Sequence, residues 1–194
     1  IGIPCFSVYR PRAPRGGVRY HAGKGKDPVQ AKVSAMMEAV EQYSAEYRMD
    51  PMQYAAYEDL PVHRTVNPAD LILPRNLQER EKLHWSPALD LLSGDEVQVP
   101  SNAVFHPYDT MGMTFPLFQS DTNGLASGNV REEALLHAML EVMNRDGMSR
   151  AGRTRSMGKR LEIDQPCPAQ TIREKMESAG IEIPEMYKLG YSNN

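Results

Sequence analysis

Ser34, Glu38 and Glu41 are the first side chains along this sequence whose types and spacing suggest chemistry. At about 100° per residue they fall within roughly 60° of one another on a helix. Two carboxylates one turn apart repel in water, and sharing a divalent cation through their oxygens removes that repulsion. A solvated helix face gives the same pattern, so both readings stand at this point. A second row repeats the logic: Glu133, His137, Glu141 and Asn144 cover roughly 80° of a helix, with Arg145 on the flank. His137 beside Glu141 reads as a hydrogen-bonding residue before it reads as a metal ligand. Each row follows a loop of small residues, Gly23-Lys24-Gly25 before the first and Gly124, Ser127, Gly128 and Asn129 before the second. Backbone N–H groups at such helix starts favour anions. If the two acidic faces meet, the cleft between them suits Mg2+ held by carboxylates, with phosphate oxygens completing its shell.

The elements that must hold these rows follow from patterning. Asp27 as N-cap, Pro28 at the first helical position and Gln30 three residues after the cap predict a helix from Pro28 to about Tyr47. Its apolar stripe, Val29, Val33, Met36, Met37, Val40, Ser44 and Tyr47, is the expected core face. A second helix is expected from Val130 to about Met148, with Leu135, Leu136, Met139, Leu140, Val142 and Met143 as its core stripe. A third runs from Ala169 to Ala179 and is closed by Gly180. Strands are expected at Ile3–Tyr9 and Val18–His21, and a hairpin from Trp85 to Val99 turns at Ser93-Gly94-Asp95. Ala103–Phe105 and Phe115–Phe118 are further strand candidates, and residues 48–84 read as Pro-interrupted and irregular, with a short helix near Pro68–Leu73. Interleaved helices and strands joined by Gly/Pro loops predict a mixed α/β or α+β fold.

Composition narrows the classes. The 194 residues, 41% apolar and 24% charged, can build a core and are enough for one domain or one and a half. A net charge of −3 argues against a dedicated nucleic-acid binder, and no aromatic interleaving supports one. Only Cys5 and Cys167 are present, which excludes a disulfide framework or a four-cysteine zinc site and suits a cytoplasmic location. No apolar run approaches the roughly 18–20 residues of a membrane span, and no secretory signal opens the chain. The basic runs Arg10–Lys26 and Arg145–Arg160 read as solvated surface or as grips for phosphate or an acidic partner. P-loop, dinucleotide-fingerprint and nucleophile-elbow motifs are all missing. The chain opens on Ile1 rather than Met and is expected to be a piece of something longer.

The two rows are recognisable together. Ser34-Ala-Met-Met-Glu38-Ala-Val-Glu41-Gln42 resembles the first ATP-binding motif of the YcaO family. Thr122-Asn-Gly-Leu-Ala-Ser-Gly-Asn129, with Glu132-Glu133-Ala134 and Glu141-Val-Met-Asn144-Arg145-Asp146, resembles the second. The wording of Asn67–Pro74 and Val104–Pro107 looks closest to the YcaO branch of methanogenic archaea, the thioglycine-forming methanogenesis-marker branch. Residues 1–183 then read as a partial YcaO domain, an incomplete fold of mixed sheets and long motif-bearing helices, and 184–194 as an unassigned polar tail.

The resemblance implies Mg-ATP bound by helix-borne carboxylates and used to phosphorylate a peptide backbone amide. An external sulfur source then gives a thioamide, such as the thioglycine of methyl-coenzyme M reductase. A Cys, Ser or Thr side chain instead gives an azoline. It assigns Ser34, Glu38, Glu41, Asn129, Glu133, Glu141 and Arg145 to the nucleotide site. Glu38, Glu41 and Glu141 are its metal candidates, and no catalytic residue is named. The partners it implies are a peptide or protein substrate, a sulfur-handling protein and a second copy of the chain, with neither nucleic acid nor membrane. Gln42 stands where the family has Arg, and Asn144 where it has Glu. A degenerate domain that binds nucleotide or peptide without turnover is the competing expectation.

Overall fold

The first long helix begins where its capping residues put it. In the computed structural model, which describes residues 2–47, 53–71, 75–108, 117, 120–155, 158–163 and 165–189, α1 covers Pro28–Ala45. The Asp27 carboxylate accepts the backbone N–H groups of Val29 and Gln30, each at 2.9 Å, and Gln30 Oε1 accepts the N–H of Lys26. The last of these closes a loop of the capping-box kind.

Contacts divide the chain into two units, with α1 continuing from one into the other between Val40 and Glu41. The first unit holds residues 1–9, 20–40 and 123–194. Its β1 (Cys5–Tyr9) and β2 (Tyr20–Lys24) pair antiparallel, with Cys5 opposite Lys24 and Tyr9 opposite Tyr20. Both strands start two residues later than the sequence pattern suggested; β1 ends at Tyr9 as expected, and β2 runs on three residues past His21. The long helix α2 (Arg131–Thr154) runs six residues past its expected end and stops at Arg155, whose φ is +52°. Two short strands, β6 (Lys159–Arg160) and β7 (Tyr187–Lys188), pair around α3 (Pro168–Ser178). Gly180 ends α3 at φ +70°, as expected, and the N–H of Ile181 reaches back to the Met176 carbonyl. The β7 strand falls in the stretch expected to be an unassigned tail.

The second unit holds residues 10–19 and 41–122. Its sheet has the order β3 (Gln53–Ala56), β4 (Lys82–Leu89), β5 (Glu96–Pro100), all antiparallel. The β4–β5 hairpin bears out the expectation, although β4 begins three residues early. The β3 strand lies in the stretch read as irregular and is a correction. Ala103 ends a single 3-10 turn from Ser101 instead of starting a strand, and Pro68–Asp70 is likewise a single 3-10 turn. Of the expected strand Phe115–Phe118, only Leu117 lies among the described residues, and it is buried. Leu60, Leu83, Trp85 and Leu117 form this unit's core, with Ala55, Tyr57 and Leu77 packed against them.

Both expected core stripes need correction. The buried positions of α1 are Ala31, Ala35, Ala39, Gln42 and Ala45. Val29, Val33, Met36, Val40 and Ser44 are exposed, Val29 to 71%, and only Met37 and Tyr47 are half-buried. The reason is a close approach. A Cβ on Gly23 would stand 2.1 Å from the Ala35 nitrogen and 2.3 Å from the Ala31 carbonyl oxygen, so β2 rests directly on the α1 backbone. Where β2 crosses, at Ala31 and Ala35, only a small side chain fits, and the branched residues turn elsewhere. In α2, Leu136, Met139, Leu140, Val142 and Met143 are exposed and Leu135 is half-buried.

Candidate functional site

The inward face of β2 alternates as strand geometry requires: His21 and Gly23 are buried while Tyr20, Ala22 and Lys24 are exposed. Gly25 continues the register, and a Cβ there would stand 2.4 Å from the Ala31 nitrogen. The strand therefore descends α1 in the reverse sense, with Gly25 at Ala31, Gly23 at Ala31 and Ala35, and His21 at Glu38. Backbone contacts at two glycines fix where Ser34 and Glu38 stand relative to the Gly23-Lys24-Gly25 turn. Ser34 is exposed, and Glu38 and Glu41 are half-buried beside the alanine face. Gln42 is buried to 7% exposure on that face.

The second row is built by the same device. A Cβ on Gly128 would lie 2.5 Å from the Ala134 nitrogen, so the loop folds tightly onto the start of α2. Glu133 Oε2 accepts the Asn129 backbone N–H at 2.8 Å and its side-chain amide at 3.1 Å. That pairing ties the loop to the first turn of α2. The Ser127 hydroxyl donates to the Met37 carbonyl oxygen at 3.3 Å. The small-residue loop before α2 thus touches α1 at the residue preceding Glu38, within the first unit.

The assigned residues are not gathered into a metal cage. Among the described residues no group of three or more His, Cys, Asp or Glu side chains is close enough to hold a metal ion. Glu141 Oε1 accepts both Nε and Nη2 of Arg145, at 3.1 and 2.7 Å. The basic runs also find their acids nearby. Arg10 pairs with Glu46 and lies 5.7 Å from the ring centre of Tyr43, Arg150 pairs with Asp146, and Arg160 with Glu185.

The residue that sequence reasoning missed is His21. Its side chain is fully buried, its Nδ1 lies 3.9 Å from Glu38 Oε1, and neither ring nitrogen has a hydrogen-bond partner among the described residues. The sequence shows only a histidine two residues before Gly23; that it faces the helix follows from the close packing of that glycine in the structure.

Residues 22–184 match the family model described as YcaO cyclodehydratase, ATP- and Mg2+-binding. The chain belongs to the YcaO family. An uncharacterized protein of Methanothermobacter thermautotrophicus is 44% identical to this YcaO chain over 188 residues, covering 94% of this chain and 48% of its own length. One from Mycobacterium tuberculosis is 38% identical over 154 residues, covering 78% of this chain and 35% of its own. Among solved structures, the YcaO of Methanopyrus kandleri bound with AMPPCP and Mg2+ superposes with a TM-score of 0.67 at 33% identity, over 91% of this chain and 46% of that one. A heterocyclase in complex with substrate and cofactor gives a TM-score of 0.68 at 23% identity, over 82% of this chain and 25% of that one, and shares the fold. The chain spans about half the length, or less, of the relatives it matches. These matches bear out the mixed α+β, YcaO-type architecture. No helix among the described residues is long and apolar enough to cross a membrane.

Proposed function

We propose that this chain carries the ATP- and Mg2+-binding part of an enzyme that activates a peptide backbone amide, with thioamide formation, such as thioglycine, as the outcome. The similarity to the nucleotide-bound Methanopyrus kandleri protein over 91% of this chain carries the reading. The donor set supports it in a specific way. Mg2+ in phosphate sites usually takes one or two carboxylates and fills its remaining positions with phosphate oxygens and water. Half-buried Glu38 and Glu41 on adjacent turns of α1 suit that mode better than an all-protein cage, since no three His, Cys, Asp or Glu side chains converge among the described residues. Arg145 holds Glu141 through Oε1, so Glu141 would join the metal through Oε2.

ATP supplies a phosphoryl group that turns the amide oxygen into a leaving group, and Mg2+ neutralises charge on the phosphates. The chain's own residues bind and orient. Ser34, exposed one turn before Glu38, offers a hydroxyl, and Asn129 stands at the loop that touches α1 through Ser127. Glu133 acts on the nucleotide through Asn129, whose amide it holds. The sulfur donor, a sulfur-handling partner, a homodimer and a cytoplasmic location belong to the same proposal.

Calorimetric titration of the chain with Mg2+·AMPPCP tests the binding reading. Glu38→Gln should weaken binding by about ten-fold, a loss comparable with one charge-assisted contact. Unchanged affinity in that variant would remove Glu38 from the site. The activity is read by mass spectrometry of a glycine-containing peptide incubated with ATP, Mg2+ and sulfide. An oxygen-for-sulfur mass gain supports thioamidation, while loss of water at a Cys, Ser or Thr points to an azoline. Binding without turnover is the second reading. It is favoured by Gln42 and Asn144, which stand where the family resemblance expects Arg and Glu. Nucleotide binding with no ATP hydrolysis in the presence of peptide and sulfide would establish it.

A further inference from the structure

His21 has no assigned role, yet its place in the fold is over-determined. It sits on β2 two residues before Gly23, and Gly23 lies against the α1 backbone at Ala31 and Ala35. The alternation of β2 therefore turns the imidazole into the β2–α1 interface, where its exposed surface is 1%. Glu38 is the acid facing it: Oε1 lies 3.9 Å from Nδ1, and the Glu38 side chain is 44% exposed. Among the described residues neither ring nitrogen meets a hydrogen-bond partner, although both are polar and buried. Buried polar atoms are satisfied in nearly all folded proteins, so an orphaned pair beside a carboxylate marks an interaction close to being made. Closing 3.9 Å to a charge-assisted distance of about 2.8 Å needs a movement of roughly 1 Å, within reach of the broad terminal torsion of a glutamate.

We propose that His21 is a positioning residue: its Nδ1–H donates to the Glu38 carboxylate and fixes the direction in which Glu38 presents its other oxygen to the metal–nucleotide. This rests on the reading of Glu38 as a metal-binding carboxylate. In a neutral imidazole one nitrogen donates and the other accepts, so donation from Nδ1 leaves Nε2 unprotonated. Carboxylates that bind metals are commonly held by such outer hydrogen bonds, and losing one typically costs ten- to a hundred-fold in metal affinity.

Two measurements on the 194-residue chain test it. Long-range nitrogen–proton NMR of histidine-labelled protein should show His21 as the Nδ1–H tautomer, with its Nδ1 signal moved by Glu38→Gln. An Nε2–H tautomer, or an Nδ1 signal indifferent to that substitution, overturns the proposal without any ligand present. Titration with Mg2+·AMPPCP and with metal-free AMPPCP gives the second readout. His21→Phe fills the volume without a donor and should lose about ten-fold in Mg2+·AMPPCP affinity, with metal-free binding unchanged. His21→Asn places an amide N–H near the position of Nδ1 and should recover most of the loss, whereas His21→Gln should not. Equal losses with and without metal, or no rescue by Asn, overturn the positioning role. If Glu38→Gln leaves Mg2+·AMPPCP affinity intact, the metal reading of Glu38 fails and this inference falls with it. If Glu38→Gln weakens binding while His21→Phe does not, only this inference falls.

Discussion

Gly23→Ala is the substitution whose consequence the geometry fixes most tightly. The new Cβ would meet the Ala35 nitrogen at 2.1 Å, the Ala31 carbonyl oxygen at 2.3 Å and the Ala35 Cα at 2.7 Å. All three are backbone atoms of α1, so no side chain can swing aside. Ordinary contact lies roughly 1.3 Å further out than the shortest of these distances, and β2 and α1 must separate by about that much. Overpacking that relaxes through side chains costs about 1–3 kcal/mol. Relief that must come from parting a strand and a helix belongs at the upper end, and we expect about 3 kcal/mol. Urea unfolding followed by far-UV circular dichroism measures it. Gly94→Ala is the matched control: Gly94 has φ +79° and nothing within 4 Å of an added Cβ, so that change costs only the left-handed strain, about 1–2 kcal/mol. The same separation carries His21 away from Glu38, so Mg2+·AMPPCP affinity should drop along with stability. A Gly23→Ala protein within about 0.5 kcal/mol of the parent, the range of inert surface changes, would refute the close-approach argument.

Three further outcomes follow from other contacts. Gly152 sits inside α2 with nothing within 4 Å of an added Cβ. Gly152→Ala should therefore stabilise by about 0.5–1 kcal/mol through helix propensity, seen as a raised thermal midpoint. Trp85 is fully buried and its Nε1–H donates to the Ala55 carbonyl at 3.0 Å. Trp85→Phe leaves that carbonyl without its indole donor and should cost about 1–3 kcal/mol in chemical denaturation. Arg75 donates to both oxygens of Glu81, and this hydrogen bonding chiefly holds the Glu81 carboxyl below its usual range. A depressed folded-state value means the stabilisation is full above the unfolded carboxylate range and fades as pH falls through the folded value. Acid unfolding should accordingly flatten in Glu81→Gln, checked by midpoints at neutral and acidic pH.

Local signals were legible where local chemistry decides. Asp27, Pro28 and Gln30 placed the start of α1, Gly180 placed the end of α3, and the Ser93-Gly94-Asp95 turn placed the β4–β5 hairpin. The motif residues could be read because they ride on those helices. What could not be read was which face each helix buries. Hydrophobic periodicity pointed to Val29, Val33, Met36 and Val40, but the backbone of β2 presses on α1 so closely that alanines occupy the interface. A tertiary approach of this kind leaves no periodic apolar trace. His21 was overlooked for the same reason, since its burial depends on which side of β2 meets the helix. The pairing of Glu141 with Arg145 is an i,i+4 contact and was available from spacing alone.

The exposed stripes of α1 and α2 have a thermodynamic consequence. Denaturant sensitivity and the heat-capacity increment of unfolding both scale with the apolar surface that unfolding newly hydrates. Val29, Val33, Met36, Val40, Leu136, Met139, Leu140 and Met143 already expose roughly half or more of their surface in the folded chain, and they add correspondingly less to either quantity. The first unit should therefore unfold with a shallow denaturant slope and a flat dependence of stability on temperature for its length. Any polypeptide that covers those stripes would steepen both.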